Sequence, residues 1–365
     1  MKKIPNLDTL RFFAASLVIL QHIELYKSSL YSESLWHIAF FRIIGCLGVA
    51  MFFVLSSFLI TTLLLNEQKS TGTISLKNFY FRRILKIWPL YYLIIFLGFF
   101  VLPNVEFFQM PAYQYRFGDV NGNTFLPNFM LYFFGISSMG RTLFGDIAFV
   151  SHTWTLATEQ LFYLLWPMVL IYFSKRLLTA MLLIILLYHV TSYFLVTKYA
   201  YAIPYSRYIF SFLSGIYIPC MAFGGIFAVV LNRKMRLLSL LHHPIIFYAS
   251  LIASVLLSFV IKNFTIYHYG LYSVLFGIII LNLASNPKFS NVSENRVTNY
   301  LGTISYGMYM YHPIIIFIAI KVALIFGSVS IIYLLSFIVT IFISHLSFKY
   351  FEGYFLRLKT KFESI

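Results

Sequence analysis

Apolar runs of about 20 residues recur along the whole chain, near 7–26, 41–65, 86–103, 148–173, 177–197, 206–231, 244–261, 264–284, 301–321 and 330–351. A helix of that length crosses the roughly 30 Å of bilayer hydrocarbon, whereas a membrane strand needs only about ten residues. Backbone polar groups find no water inside lipid, so runs of this length must satisfy their hydrogen bonds internally, as helices. The pattern therefore predicts an all-α polytopic membrane protein with about ten transmembrane helices. Composition agrees: charged residues make up 10% of the chain and hydrophobic ones 60%, against about 25% charged in soluble domains.

A further run at 124–136 is too short to cross and contains Pro127; it is expected to be re-entrant or interfacial. The basic residues test that count. With both termini cytoplasmic and ten spans, the inward segments carry seventeen Lys and Arg and the outward ones six, as the positive-inside rule requires. The inward set includes Lys2, Lys3 and Lys361, and the outward set Arg116 and Lys198. Counting 124–136 as a span would turn Lys175-Arg176 and Arg233-Lys234-Arg236 outward. The net charge of +16 is thus read as membrane topology and not as a nucleic-acid footprint. Met1-Lys2-Lys3 before an apolar run imitates a signal peptide, but Arg11 interrupts the run and no small-x-small cleavage site follows. The first run is expected to stay as an uncleaved span. With no linker, low-complexity tract or repeat in view, 1–365 reads as one membrane domain. Cys46 and Cys220 lie in apolar runs; two such residues give neither a disulfide framework nor a metal spacing, and no metal is expected.

Ionisable residues inside these runs are costly in lipid and therefore point to function. Arg11 and His22 share the first run and are eleven residues apart, about 20° from three full helical turns and roughly 16 Å along the axis. One face of one helix thus carries an arginine near its cytoplasmic end and a histidine well up the span. Glu159, descending from the outside in the fourth run, reaches about the depth of His22. A carboxylate paired there would orient the imidazole and suit it to a general base; a structural buried ion pair is the plainer alternative. Arg83 and Lys86 are i and i+3 at the cytoplasmic lip. Arginine offers phosphate a planar fork and lysine a point charge, so the two, with Arg82 beside them, fit a phosphorylated cytosolic donor; an anchor to anionic lipid fits too. His312 lies mid-run beside Pro313, where a packing role is the alternative to a cavity role. Arg42 and Arg207 stand at outer run ends and could snorkel to the interface, while His242-His243 read as solvated surface. No Walker loop or Gly-x-Ser-x-Gly elbow appears.

The ordered set resembles the membrane-bound acyltransferase-3 family. Leu7-Asp8-Thr9-Leu10-Arg11 with His22 is similar to its opening, and Phe52-Phe53-Val54-Leu55-Ser56-Ser57-Phe58-Leu59-Ile60 to its second-span signature, where glycine is commoner than Ser57. Arg82-Arg83-Ile84-Leu85-Lys86-Ile87-Trp88-Pro89 resembles its Arg-x-x-Arg element, with Lys86 in place of the second arginine. The run from Trp154 through Glu159 to Tyr163 resembles its Trp-Ser-Leu-x-x-Glu-x-x-Phe-Tyr element, with Thr155 for serine. Ser305, Tyr306, Tyr309 and His312 match its Ser-Tyr-x-x-Tyr-x-x-His element, and Phe351-Glu352 its closing pair, with Gly353 and Tyr354 replacing the usual proline neighbourhood. The match covers nearly the whole chain in order.

The resemblance implies ten spans in a bacterial plasma membrane. It also implies transfer of an acyl group, usually acetyl from acetyl-CoA, from cytosolic acyl-CoA to a hydroxyl of an extracytoplasmic surface glycan or glycolipid. Arg11, His22 and the basic pair would be essential: Arg82, Arg83 and Lys86 for the CoA phosphates, Arg11 nearer the thioester, His22 as base and Glu159 as its orienting partner. His152 and Trp154 would shape the acceptor mouth, and Tyr306 and His312 would line the cavity. No appended esterase-like domain is visible, so transfer is expected to go directly to the acceptor or to a separate extracytoplasmic partner. A transporter or flippase for a lipid-linked sugar is the rival from another class. The missing inverted repeat speaks against it, and a membrane scaffold leaves Arg11, His22 and Glu159 unexplained.

Overall fold

The computed structural model describes residues 4–31, 33–109, 124–197, 204–289, 295–359 and 362. Lys2, Lys3, Arg116, Lys198 and Lys361 of the charge count lie outside them. The described residues are helical throughout, without a strand: α1 (Leu7–Leu30), α2 (Ala39–Thr71), α3 (Leu76–Phe96), α4 (Phe125–Phe133), α5 (Ser137–Phe144), α6 (Trp154–Tyr172), α7 (Leu177–Val196), α8 (Ser206–Gly215), α9 (Ile218–Asn232), α10 (Leu237–Leu241), α11 (Pro244–Val260), α12 (Ile266–Ser285), α13 (Arg296–Thr303), α14 (Ser305–Phe326), α15 (Val329–Leu346) and α16 (Gly353–Lys359). The protein is a multi-pass membrane protein.

Seven segments among the described residues are long and apolar enough to cross a membrane. They are α2, α3 with its π-helical continuation, α7, the α8–α9 pair, α12, α14 and α15. The difference from ten falls on three helices. The 24 residues of α1 include Asp8, Arg11, Glu24 and Lys27; α6 has 19 residues and carries Glu159; α11 is apolar but has only 17 residues. Within the 124–136 run only α4 forms, of nine residues, and the eight-residue α5 begins just after it, at Ser137. Neither exceeds about 14 Å. Two expected single runs are broken instead. Tyr217, at φ 54°, separates α8 from α9, and Ile304 separates α13 from α14.

Burial divides the bundle into core and periphery. α2, α9 and α14 are mostly enclosed, whereas α7 and α15 show apolar stripes outward. Leu182, Leu186 and Val190 on α7, and Leu334, Ile338 and Phe342 on α15, are exposed at i, i+4 spacing, which is one helical face. Small polar residues take the opposite face: Ser336, Thr340 and Ser344 of α15 are fully buried. In lipid the apolar side chains lose nothing by facing out, and small residues let helices approach. Ser344 satisfies its own hydroxyl by donating to the Thr340 carbonyl, 2.6 Å, and sits where a Cβ on Gly307 of α14 would meet it at 3.1 Å.

Helix α1 is the axis of the site. It packs on α2, α13 and α14, and α2 packs in turn on α6, α9 and α12. Close approach needs glycine on two neighbours of the N-terminal part of α1. A Cβ on Gly48 of α2 would lie 2.5 Å from the Ala14 carbonyl, and one on Gly302 of α13 would run into the Asp8 backbone.

Candidate active site

One stripe of α2, through Arg42, Cys46, Val49, Phe52, Ser56 and Leu59, lines two chambers in succession. Its steps are all of three or four residues, so it stays on one face. The chambers have only Val49 and Tyr309 in common, and those two residues mark the boundary where the chambers meet.

The first is an arginine chamber of about 310 Å³. Arg11 enters from the first turns of α1 and donates to Asp8 Oδ1 at 2.7 Å, an i,i+3 pair. Arg83 and Lys86 of α3 line it together, as their spacing requires. The Arg83 guanidinium lies over the rings of Phe79 and Tyr163, 5.5 and 5.4 Å from their centroids. Such a stack leaves the guanidinium edge available for an anion. Glu159 of α6 completes the polar wall; it accepts from Ser56 Oγ at 2.6 Å and from the Tyr163 hydroxyl one turn away. Tyr306 lines this chamber too and donates to the Ile87 carbonyl at 2.7 Å.

The second is a histidine chamber of about 460 Å³. His22 Nδ1 lies 2.9 Å from the Val18 carbonyl. A carbonyl only accepts, so this bond puts the proton on Nδ1 and leaves Nε2 as an acceptor. The ring meets His312 edge-on at 4.8 Å, and His312 meets His152 at 5.2 Å. His312 is fully buried behind His22 and likewise donates from Nδ1, to the Tyr309 carbonyl at 2.6 Å. His152 lines the chamber, and neither of its ring nitrogens has a partner among the described residues. Trp154 closes the side, stacked on Tyr217 at 5.1 Å. The boundary residue Tyr309 is tied to this wall by hydroxyl contacts with Thr155 Oγ1 at 2.7 Å and the His152 carbonyl at 2.8 Å.

Arg11 and His22 therefore do lie on one face of α1, one in each chamber. Three sequence-based expectations are corrected. Glu159 does not pair with His22: its partners are Ser56 and Tyr163, in the arginine chamber. Equal depth says nothing of azimuth, and α1 and α6 both pack on α2, whose Ser56 takes the carboxyl. Arg82 points away from its neighbour, bonded to Glu67 at 3.2 Å and to the Phe362 carbonyl at 2.7 Å; adjacent helical residues diverge by about 100°. Arg42, in the first turn of α2, lines the histidine chamber and donates to the Trp36 and His37 carbonyls at 3.3 and 3.0 Å. His242 is not merely solvated, since its Nε2 contacts Ser285 Oγ at 3.1 Å.

The sequence reading missed Tyr309, Ser56 and Tyr163 as site residues, although all three sit inside the quoted motifs. It also passed over Arg141 and Asp146, a pair at 2.7 Å on the rim of the histidine chamber; no periodic signal marks them. Both cysteines are free, and Cys46 lines the histidine chamber instead of serving only as core. Among the described residues no group of three or more His, Cys, Asp or Glu is arranged to hold a metal ion.

Comparison with known proteins now gives the arrangement a family. The chain is 27% identical over 331 residues to the peptidoglycan O-acetyltransferase OatA of Listeria monocytogenes, covering 86% of this chain and 50% of that protein. It is 28% identical over 368 residues to the putative peptidoglycan O-acetyltransferase YrhL of Bacillus subtilis, covering 96% and 54%. With the O-acetyltransferase OatA of Staphylococcus aureus the identity is 25% over 367 residues, covering 96% and 56%. The chain thus spans about half the length of the curated relatives it matches. No solved structure matches it. The family model described as an acyltransferase domain matches residues 4–348, and the chain belongs to that acyltransferase family.

Proposed function

We propose that the protein is a bacterial plasma-membrane O-acyltransferase. It moves an acyl group, acetyl by analogy with its relatives, from cytosolic acyl-CoA to a hydroxyl of an extracytoplasmic surface glycan. The reading takes 1–365 as one membrane domain of ten spans, α1, α6 and α11 included, with both termini cytoplasmic. The observation that carries it is the pair of chambers meeting at Tyr309 and Val49, because α1 supplies Arg11 to one and His22 to the other.

Arg83 and Lys86 hold the phosphates of CoA, and Arg11 stands along the thioester arm. Glu159 keeps Ser56 and Tyr163 in place beside Arg83. Arg82, bonded to Glu67, is left out of donor binding. Across the partition, His22 Nε2 takes the proton of the acceptor hydroxyl, and that oxygen attacks the acyl carbonyl. Collapse of the tetrahedral centre breaks the carbon–sulfur bond. The leaving CoA thiolate recovers the proton, so His22 is regenerated. His312 backs the His22 ring; His152 and Trp154 shape the acceptor side.

The test uses purified protein in oriented proteoliposomes, with labelled acyl-CoA on one face and glycan on the other. Acylated glycan should form only when acyl-CoA meets the face bearing Arg83 and Lys86. Movement of unmodified lipid-linked sugar without acylation would put the protein among transporters and overturn the reading.

A further inference from the structure

A third cavity, of about 770 Å³, adjoins the histidine chamber, and the two share Arg141, Trp154 and Tyr217. Its lining alternates rings with hydroxyls. Trp154 stacks on Tyr217, whose hydroxyl bonds that of Tyr269, and Ser138, Ser211 and Thr265 lie between the aromatic residues. A pyranose has an apolar C–H face and a polar rim, which such amphipathic rings and hydroxyls match.

The charge over this junction is unbalanced. Arg141 lies over the Trp154 ring at 5.5 Å. Asp146 takes only its Nε edge, at 2.7 Å, so the terminal fork of the guanidinium is left for another acceptor. Arg42, which lines the adjoining histidine chamber and not the third cavity, bonds only backbone carbonyls, through one nitrogen. Two guanidiniums therefore meet one carboxylate among the described residues. Arg141 is exposed at the cavity mouth, and a guanidinium fork there is open to a planar anion, carboxylate or phosphate.

We infer that this third cavity is a glycan-binding subsite that admits an anionic glycan. The sugar ring lies on the Trp154–Tyr217 platform and its negative group is read by Arg141 with Arg42, presenting a neighbouring hydroxyl to His22. The inference rests on the acyltransferase reading for the last step only; binding itself does not need the donor.

The experiment measures binding to the full-length protein in nanodiscs, without acyl-CoA, by calorimetry. Three oligosaccharides of equal length serve as probes: a uronate, its carboxyl-reduced neutral counterpart, and a phosphate-ester form. The wild type should bind a charged probe about tenfold more tightly than the neutral one, the worth of one charge-assisted pair. Whichever charged probe binds best assigns carboxylate or phosphate as the group recognised. Arg141→Gln should abolish the preference while keeping neutral-probe affinity, and Trp154→Leu should weaken all three and keep the preference. Equal binding of the three probes by the wild type, or no binding of any, overturns the inference. Because no transfer is measured, an inactive protein that still prefers charged probes would refute the acyltransferase reading and leave this one standing.

Discussion

The two chambers differ in the kind of charge they carry. Arg11, Arg83 and Lys86 face Asp8 and Glu159 in one, so its polar wall is built of guanidinium, ammonium and carboxyl groups without an imidazole. The other adds two imidazoles, His22 and His152, to Arg42, Arg141 and Asp146. Guanidinium and ammonium groups suit an anionic ligand, such as a phosphorylated donor. Imidazole suits a step in which a proton moves. In the proposed mechanism, one helix separates holding from reacting by about 16 Å of rise between Arg11 and His22. If the contrast is real, substitutions in the first chamber change donor affinity and substitutions in the second change turnover.

The largest effect is expected at His22. His22→Ala should lower acyl transfer by about 10²–10⁴-fold, the usual worth of general-base help, while acyl-CoA binding by the purified protein stays intact. A well-produced His22→Ala protein with near-normal turnover would erase the functional distinction between the chambers. His312→Ala tests the same wall. It removes the ring behind His22 without touching the Val18 bond, so it should cost less than His22→Ala.

The partition comes next. Tyr309 stands at the boundary and is pinned by Thr155 and the His152 carbonyl. Tyr309→Ala should open one chamber to the other. Glycan acylation should fall about tenfold, and acyl-CoA hydrolysis without acceptor should rise, because water then reaches the thioester. Tyr309→Phe keeps the ring and loses only the hydroxyl contacts, so it should leak less. If both variants hydrolyse acyl-CoA no faster than the wild type, Tyr309 does not divide the two sites.

These expectations mark what the sequence could and could not disclose. Arg11 and His22 were legible because they share one helix, where spacing alone fixes relative direction. Arg83 and Lys86 were legible for the same reason. The error at Glu159 has the opposite cause. Hydropathy gives depth along the membrane normal, not which helices are neighbours, and Ser56 on the intervening α2 decides the partner of the carboxyl. Arg42 and Arg141 were out of reach because their roles depend on the junction of a loop, two short helices and the start of α2. The broken runs at Tyr217 and Ile304 were hidden by unbroken hydropathy. The positive φ of Tyr217 is a backbone feature that an apolar aromatic does not announce.

Lys86 offers a smaller effect that sharpens the arginine chamber. Lys86→Gln removes one of its three cations and should raise the donor KM about tenfold, with a smaller change in kcat because the reacting group lies beyond the partition. Lys86→Arg restores a fork and should match or lower the wild-type KM. A Lys86→Gln protein with unchanged donor KM and reduced yield would make Lys86 a lipid anchor.

The smallest effect on activity separates the two adjacent arginines. Arg83 lies between Phe79 and Tyr163 in the chamber wall, whereas Arg82 pairs with Glu67, whose other oxygen accepts from the Ser75 backbone amide at 3.0 Å. Glu67 therefore ties the end of α2 to the start of α3, and Arg82 neutralises it. Arg82→Gln should leave the donor KM within about twofold and cost on the order of 1–3 kcal/mol of stability, the scale for removing one partner of a largely buried bond, read as a lower midpoint of thermal unfolding in detergent. Glu67→Gln should reproduce that loss, and the double variant should cost little more than either single one, since both remove the same bond. Arg83→Gln should do the reverse, raising the donor KM well beyond the Arg82 value with a smaller shift in midpoint. If Arg82→Gln raised the donor KM as much as Arg83→Gln, the doublet would act as one phosphate site, and the side-chain directions that exclude Arg82 from the chamber would not be those of the working protein.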